Sequence, residues 1–225
     1  MQHSPTPHRD ADISHIIDAL IAVDGSGAHD HAVELTAAAT SPGARPLASL
    51  ADAAHYLCLL HGRFPGVIDH AATRTTENAA RDWLIQTTEA FAEERAYLTR
   101  VAVALGPMPS TQGQHNCETT VAQQRHALEM LAQSDRRGCA MGAALTLALD
   151  WAAVRRLLDM AAIRVGLEPM RCRLPLRDAT LEMARAITAD DQASRAVQFG
   201  ARQLLGQHRG MWDLLRARAA VRAAQ

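Results

Sequence analysis

Three side chains that commonly bind metals recur at every third position of one predicted helix: His55, Cys58 and His61. A step of three residues rotates the side chain by about −60°, so Cys58 neighbours both histidines while the histidines diverge by about 120°. One helix therefore cannot present all three to a single ion without strain, and a metal would share one of them with other helices. The alternative, which we favour, is a polar flank around a buried cysteine.

A carboxylate-bridged dimetal site is the second chemistry to consider, and it needs inward carboxylates on four helices with two Glu-x-x-His pairs. Glu94 falls on the inner face of its predicted helix, and Asp150 falls on the most apolar one. Gln123 precedes His126 at the required spacing, but an amide replaces the carboxylate, and His126 points away from the apolar stripe of its helix. The pattern is incomplete. The candidate metal ligands are His55, His61, Glu94, His126 and Asp150, with iron, manganese or haem as the alternative to a protein without a cofactor.

The same polar side chains also have structural interpretations. A carboxylate on a surrounded helix must be paired, be protonated or face a water-filled opening. Arg155, Arg156 and the corner 134–137 could supply partners for Glu94 and Asp150, so we favour ion pairs that fix helix register over catalysis. His208, inside an apolar stripe, is typical of a core histidine with one hydrogen-bonded nitrogen. Haem ligation is the alternative, and no second axial ligand is identifiable.

Motifs for nucleophilic or nucleotide chemistry are missing from the sequence. It contains no GxSxG, no glycine-rich phosphate loop and no GxGxxG after a strand, and no strand is predicted at all. These absences argue against nucleotide-binding α/β enzymes and favour a non-enzymatic protein.

The element that must position these residues is a nearly all-apolar segment at about 138–166. Its small residues Ala140, Ala144, Ala148 and Ala152 recur every four positions and lie along one helical face, where they let a partner helix approach closely. A helix that is apolar nearly all round must be surrounded. The sequence therefore predicts an all-α fold, an antiparallel helical bundle around a central Ala-rich helix at about 138–166.

Amphipathic patterns and breaker residues predict the remaining helices at about 13–24, 28–39, 46–62, 66–73, 76–105, 116–133, 178–189 and 190–225. Predicted first residues and caps are Asp10 or Asp12 for the first helix, Pro46 for the third, Ser134 or Asp135 for the central one and Asp178 for the next. We expect residues 1–44 to form an N-terminal helical arm packed on the bundle. Residues 45–225 would form a single bundle domain that includes the C-terminal helices 178–225.

Charge is unevenly distributed along a chain whose net charge is only −1. Residues 1–60 hold two arginines against seven acidic residues, whereas residues 195–225 hold six arginines against one aspartate. We expect the two ends to attract one another within the fold; the alternative is that the basic end meets an anionic partner. The near-neutral total argues against a dedicated nucleic-acid binder.

The compartment follows from cysteine usage and hydropathy. Four cysteines without a CxxC pair are typical of reduced thiols, and the polar N-terminus lacks a signal-peptide core. The apolar run 138–149 is too short to span a bilayer. We therefore predict a soluble, cytoplasmic protein without a membrane partner.

Two segments carry a resemblance to a known family: the stretch HYLCLLHGRFPGVIDH at 55–70 and the stretch HALEMLAQSDRRGC at 126–139. Together they resemble an uncharacterised all-helical domain family of sphingomonad-type bacteria, over about 45–166. The resemblance implies a helical fold and no activity. A ferritin-like architecture is a loose analogy, because Gln123 stands where that pattern has a carboxylate.

Taken together, the sequence favours an uncharacterised cytoplasmic helical bundle that is non-enzymatic and acts through protein contacts or self-association, as a homodimer or an accessory subunit. The first alternative is a metal- or haem-binding bundle with a redox or ligand-binding role. A third possibility is an anion-responsive regulator that uses the arginines at every seventh position of the last helix, 195–216.

Overall fold

Alanine and leucine, which favour helix, dominate the chain, and helices are what the computed structural model contains. It describes residues 12–41, 43–188 and 190–224, and in those residues there are nine α-helices, two 3₁₀ turns and no strand. The all-α bundle is confirmed. The helices are α1 Ile13–Asp24, α2 Asp30–Ala38, α3 Ala44–His61, α4 Val67–Arg74, α5 Arg81–Leu105, α6 Gln114–Ala132, α7 Cys139–Arg164, α8 Arg177–Ile187 and α9 Asp191–Ala223; the 3₁₀ turns are Ser26–Ala28 and Asn78–Ala80.

The central helix is α7, as its apolar sequence predicts. Every residue of 139–151 is buried, and α7 packs chiefly against α9 and α4, with further contacts to α5, α6 and α8. Ala140, Ala144 and Ala148 of the predicted small-residue face lie inside, whereas Ala152 is exposed. Burial on all sides ends at Trp151, and from Ala152 onward exposed residues interrupt the buried ones.

Two glycines bring α7 and α9 into close contact. A Cβ atom added to Gly142 would overlap the backbone of Val197, and one added to Gly200 would overlap the carbonyl oxygen of Cys139. The two backbones therefore touch directly at this crossing, which only glycine permits. Gly200 weakens α9 as an isolated helix, and the packing it allows compensates for that loss.

One helix begins at its expected cap, and another has a cap that the sequence pattern did not predict. Asp12 caps α1 by accepting a hydrogen bond from the Ser14 backbone N–H at 3.0 Å. Asp190 caps α9 through the Ala193 N–H at 2.7 Å. Asp10, the other candidate for α1, lies outside the described residues.

Other predicted helix starts are wrong. Neither Ser134 nor Asp135 caps α7, because Gly138 adopts a left-handed backbone (φ +94°) and the helix begins only after it. Asp178 is the second residue of α8, whose N-terminal cap is Leu176. Local capping patterns specify a helix start only when tertiary packing does not favour another residue.

Two further boundaries shift by a few residues. Pro46 is the third residue of α3, which begins at Ala44. The long helix α5 begins at Arg81, not at Thr76, because a separate 3₁₀ turn, Asn78–Ala80, precedes it.

The predicted attraction between the chain ends is confirmed. Asp24 lies 3.4 Å from Arg209, and Asp52 lies 3.0 Å from Arg218 and also pairs with Arg222. Asp52 and Arg218 are buried, so removing either one would leave a buried charge with less compensation than at the exposed pair. The basic α9 thus lies against the acidic first third of the chain.

The first helices cover one side of α9. α1 packs against α9 and α8, and the 3₁₀ turn Ser26–Ala28 that follows it reaches α7. The division into an arm, 1–44, and a bundle, 45–225, stays a prediction. In the described part of the chain, no helix combines the length and the hydropathy that crossing a bilayer requires.

Candidate functional site: a buried hydrogen-bond chain

The most polar feature of the interior is a chain of four side chains from four different elements. His61 is the last residue of α3, Asp150 lies in the middle of α7, His208 lies on the inner face of α9, and Ser26 opens the 3₁₀ turn after α1. Their relative exposures are 4%, 1%, 0% and 2%. We call these four residues the buried chain.

Short hydrogen bonds connect the buried chain from end to end. The Nε2 atoms of His61 and His208 are 2.8 Å apart, and His208 Nδ1 lies 2.6 Å from Asp150 Oδ2. The carboxylate also accepts from Ser26, from its N–H at 2.7 Å and from its hydroxyl at 2.6 Å. Trp212 Nε1–H then donates to the Ser26 hydroxyl at 2.9 Å. Each polar atom named here is satisfied, as burial requires.

The surroundings of Asp150 keep it ionised. Burial alone would raise the pKa of Asp150, but the hydrogen bonds from His208 and Ser26 outweigh burial and lower that pKa below its ordinary value. An ionised carboxylate can only accept, so His208 Nδ1 must carry a proton and donate it to Asp150.

His61 is in the opposite situation. Burial, assisted by the nearby positive charge of His208 and Arg95, lowers the pKa of His61 well below its ordinary value. Its ring meets Trp151 and Phe91 edge-on, at centroid distances of 5.7 Å and 6.5 Å. His61 is therefore neutral near pH 7. Its Nε2 atom, whether donor or acceptor, is hydrogen-bonded to His208.

Glu94 belongs to a separate buried network on the other side of Trp151. Trp151 Nε1–H donates to Glu94 at 2.9 Å and Arg155 donates to it at 2.6 Å. Arg155 also donates to Asp159 at 2.7 Å and stacks over the Tyr97 ring at 4.1 Å. Arg155 is thus the partner that the sequence suggested for Glu94, and the corner 134–137 has no part in it.

The two remaining candidates lie elsewhere. His55 Nε2 is 2.8 Å from the carbonyl oxygen of Gly106, which joins the end of α5 to α3. His126 is 72% exposed, and its nearest carboxylate is Glu129 at 3.7 Å. The structure therefore joins only His61 and Asp150 of the five candidates, and it joins them through His208.

No group of three or more His, Cys, Asp or Glu side chains within the described residues is arranged to hold a metal ion. The separation of 2.8 Å between the two imidazole Nε2 atoms is a hydrogen-bond distance and leaves no room for an ion between them. The assignment of His55, His61, Glu94, His126 and Asp150 as metal ligands stays a prediction.

Sequence reasoning missed half of the buried chain. Gly25-Ser26-Gly27 signals a helix end and nothing else, and Ser26 lies 124 residues from Asp150. The expectation that His208 has one hydrogen-bonded nitrogen is wrong, since both its nitrogens are bonded. The one usable signal was Asp150, a carboxylate in an otherwise apolar run, which had to find partners.

The openings of the molecule lie at its surface. A cavity of only about 20 Å³ adjoins His61. A groove of about 410 Å³ lies between α2, α3 and the end of α9, and another of about 560 Å³ lies beside α4 and α5. No part of the buried chain lines either groove.

Fold and site together define an all-helical bundle whose central helix is tied to its neighbours by buried polar side chains. Residues 21–223 match the model of a family of unknown function, DUF6975, and the chain belongs to that family. Neither the curated proteins nor the solved structures yield a match. The predicted membership of an uncharacterised domain family is thereby confirmed, and the matching stretch is longer than the predicted 45–166. The sphingomonad origin stays a prediction.

Proposed function

We propose that the protein is non-enzymatic and acts through protein contacts, as a homodimer that forms across the groove between α2, α3 and the end of α9, here called the terminal groove. The observation that carries the proposal is the combination of an apolar groove floor with exposed charges of opposite sign, Glu34 and Arg45, on two of its helices. Its four cysteines are all unpaired, which supports a cytoplasmic location.

The floor of the terminal groove suits the approach of another helix. It is built from small or aliphatic side chains, Leu35, Ala38, Pro46, Ala48, Ala219 and Ala223. Small residues let helix backbones come close, and apolar area removed from water drives association.

The rim charges favour a second copy over other occupants. Glu34 on α2 and Arg45 on α3 are both exposed, and neither forms an ion pair within the described part of the chain. In a dimer with a two-fold axis, a surface patch of one copy contacts the same patch of the other copy. Such an axis can bring Glu34 of one copy to Arg45 of the other, twice in the same dimer, so the groove is complementary to itself.

The state of the interior supports a non-enzymatic role. The side chains best suited to catalysis are those of the buried chain and of the Glu94–Arg155 pair. Each group is hydrogen-bonded within itself, and neither group lines either of the large grooves. Catalysis needs a group within hydrogen-bond reach of a substrate. These groups act instead as internal ties between helices.

Charge reversal tests the dimer. Light scattering after size exclusion, across a concentration series, should give a dimer mass for the wild type and a weaker dimer for Glu34→Arg and for Arg45→Glu. Two exposed pairs change from attraction to repulsion, so each single variant should raise Kd by on the order of tenfold. The double variant Glu34→Arg/Arg45→Glu should restore the dimer.

The control is Glu89→Arg, which reverses an exposed charge in the groove beside α4 and α5 and should leave Kd unchanged. A wild type that is monomeric at every concentration overturns the proposal. A dimer that tolerates both single reversals, or that Glu89→Arg weakens instead, shows that another surface is used and overturns it as well.

A further inference from the structure

We propose that the His61–His208 pair is a proton-responsive latch, which holds the end of α3 against α9 while at least one of the two rings is neutral and releases it when both rings are protonated. The inference is independent of the terminal groove. It rests on the number of protons that the buried chain can hold.

The geometry fixes that number. His208 Nδ1 donates to Asp150, so only the two Nε2 atoms, 2.8 Å apart, remain for the contact between the rings. Only one proton can lie between them. The pair keeps this bond when both rings are neutral, with His61 donating, and when it carries one positive charge, with either ring as the charged donor. A second positive charge needs a proton on both Nε2 atoms. A proton on both Nε2 atoms would set two N–H groups against each other, and the hydrogen bond would be lost.

The charged groups around the pair allow one positive charge and no second one. Among the carboxylates that the structure describes, only Asp150 of α7 is bonded to either ring, and it balances one imidazolium. Arg95 of α5 adds positive charge on the His61 side, and its carboxylate partner, Asp69 of α4, is occupied by two hydrogen bonds of 2.8 Å and 3.2 Å from that arginine. Glu94 of α5 is likewise occupied, by Arg155.

Solvent protons can reach His61 without unfolding the protein. The cavity of about 20 Å³ beside it is large enough for a single water molecule. Its other lining residues include Arg63, just after α3, and Arg125 and Glu129 of α6. Glu129 and Arg125 are themselves paired at 3.3 Å, so the carboxylate does not balance a charge on His61. His208 is fully buried, and proton exchange with the pair must therefore pass through His61.

Release has a defined structural consequence. His61 is the last residue of α3, and its hydrogen bond to His208 ties this helix end to α9. Protonation of both rings gives two imidazolium rings in contact with only one carboxylate. The end of α3, together with the turn 62–66, would then separate from α9, and Trp151 would lose its edge-on contact with the His61 ring.

Hydrogen exchange read by NMR tests the latch. Between about pH 7.5 and about pH 4.5, the protection factors of the last amides of α3 should fall by on the order of tenfold per pH unit once the uptake of one proton is coupled to opening. Trp151 fluorescence should change over the same range. His61→Gln should abolish the pH dependence, because its amide can still bond to His208 but cannot titrate. His126→Gln, at an exposed histidine, should keep it.

The imidazole ¹⁵N shifts of the wild type give a readout that needs no variant. They should show at most one charged ring in the pair near pH 7 and the protonation of both rings at the same pH as the loss of protection. Two charged rings near pH 7, with the α3 end still protected, overturn the latch. So does an unchanged transition in His61→Gln, or protection of the α3 end that persists after both rings have become charged.

Discussion

Replacing Asp150 by asparagine changes one atom of the buried chain and should destabilise the whole bundle. The carboxylate accepts three hydrogen bonds, from the Ser26 N–H, the Ser26 hydroxyl and His208 Nδ1–H. An asparagine keeps one acceptor oxygen and introduces an N–H₂ donor. With the oxygen in the Oδ2 position, the bonds from His208 and the Ser26 hydroxyl remain, but the N–H₂ faces the Ser26 N–H, which loses its acceptor. The opposite orientation loses the two bonds at the Oδ2 position instead.

The magnitude follows from what is lost. A hydrogen bond to a charged group contributes about 1.5 to 3 kcal/mol, and breaking a buried charged pair costs about 3 to 5 kcal/mol. Because asparagine retains part of the contact, we expect the free energy of unfolding to fall by about 3 to 5 kcal/mol. For a chain of this size the loss corresponds to a fall in Tm of about 6 to 20 °C.

Urea denaturation followed by circular dichroism measures this loss, as a lower midpoint at an unchanged m value. Asp24→Asn is the matched control, because Asp24 forms an exposed ion pair with Arg209 at 3.4 Å and its loss should cost under about 1 kcal/mol. An Asp150→Asn protein within about 1 kcal/mol of the wild type would refute the reasoning.

Two further predictions concern pH and packing. His61 has a lower pKa in the folded state than the ordinary value of 6.5, so the unfolded state binds a proton that the native state does not. Stability should therefore fall as pH drops below about 6.5, by up to about 1.4 kcal/mol per pH unit from this residue, and His61→Gln should flatten the slope of the urea-derived free energy. In α9, Gly200→Ala should cost more than about 2 kcal/mol, because the added Cβ overlaps Cys139, whereas Gly206→Ala has open space and should stabilise by up to about 1 kcal/mol. Equal effects of the two alanines on Tm would contradict the packing described for α7 and α9.

The sequence predicted the helices where a local pattern was sufficient. The central helix was expected at 138–166 and spans Cys139–Arg164, because an unbroken apolar run bounded by glycines and charges leaves few alternatives. Asp12 acts as a cap as expected, since its side chain reaches a backbone N–H only two residues away. Ser134 and Asp135 fail as caps, because the chain turns at Gly138 to pack against α9.

The candidate site was harder to predict, because periodicity gives the face of a helix and not its partner. Asp150 stood out as a carboxylate among apolar residues, but nothing local indicates that Ser26 and His208 are its partners. Glu94 and Arg155 could be matched by charge. His55 and His61, six residues apart on one helix, reach different places: one ties α3 to the end of α5, and the other enters the buried chain.

Direct bonds between Ser26 and Asp150 hold a turn near the start of the chain to the core. A double-mutant cycle of Ser26→Ala and Asp150→Asn, measured by urea denaturation, gives the coupling energy between these two residues. This direct contact, across 124 positions of the sequence, should give a coupling energy of about 1 to 3 kcal/mol. Effects that add to within about 0.5 kcal/mol would contradict it.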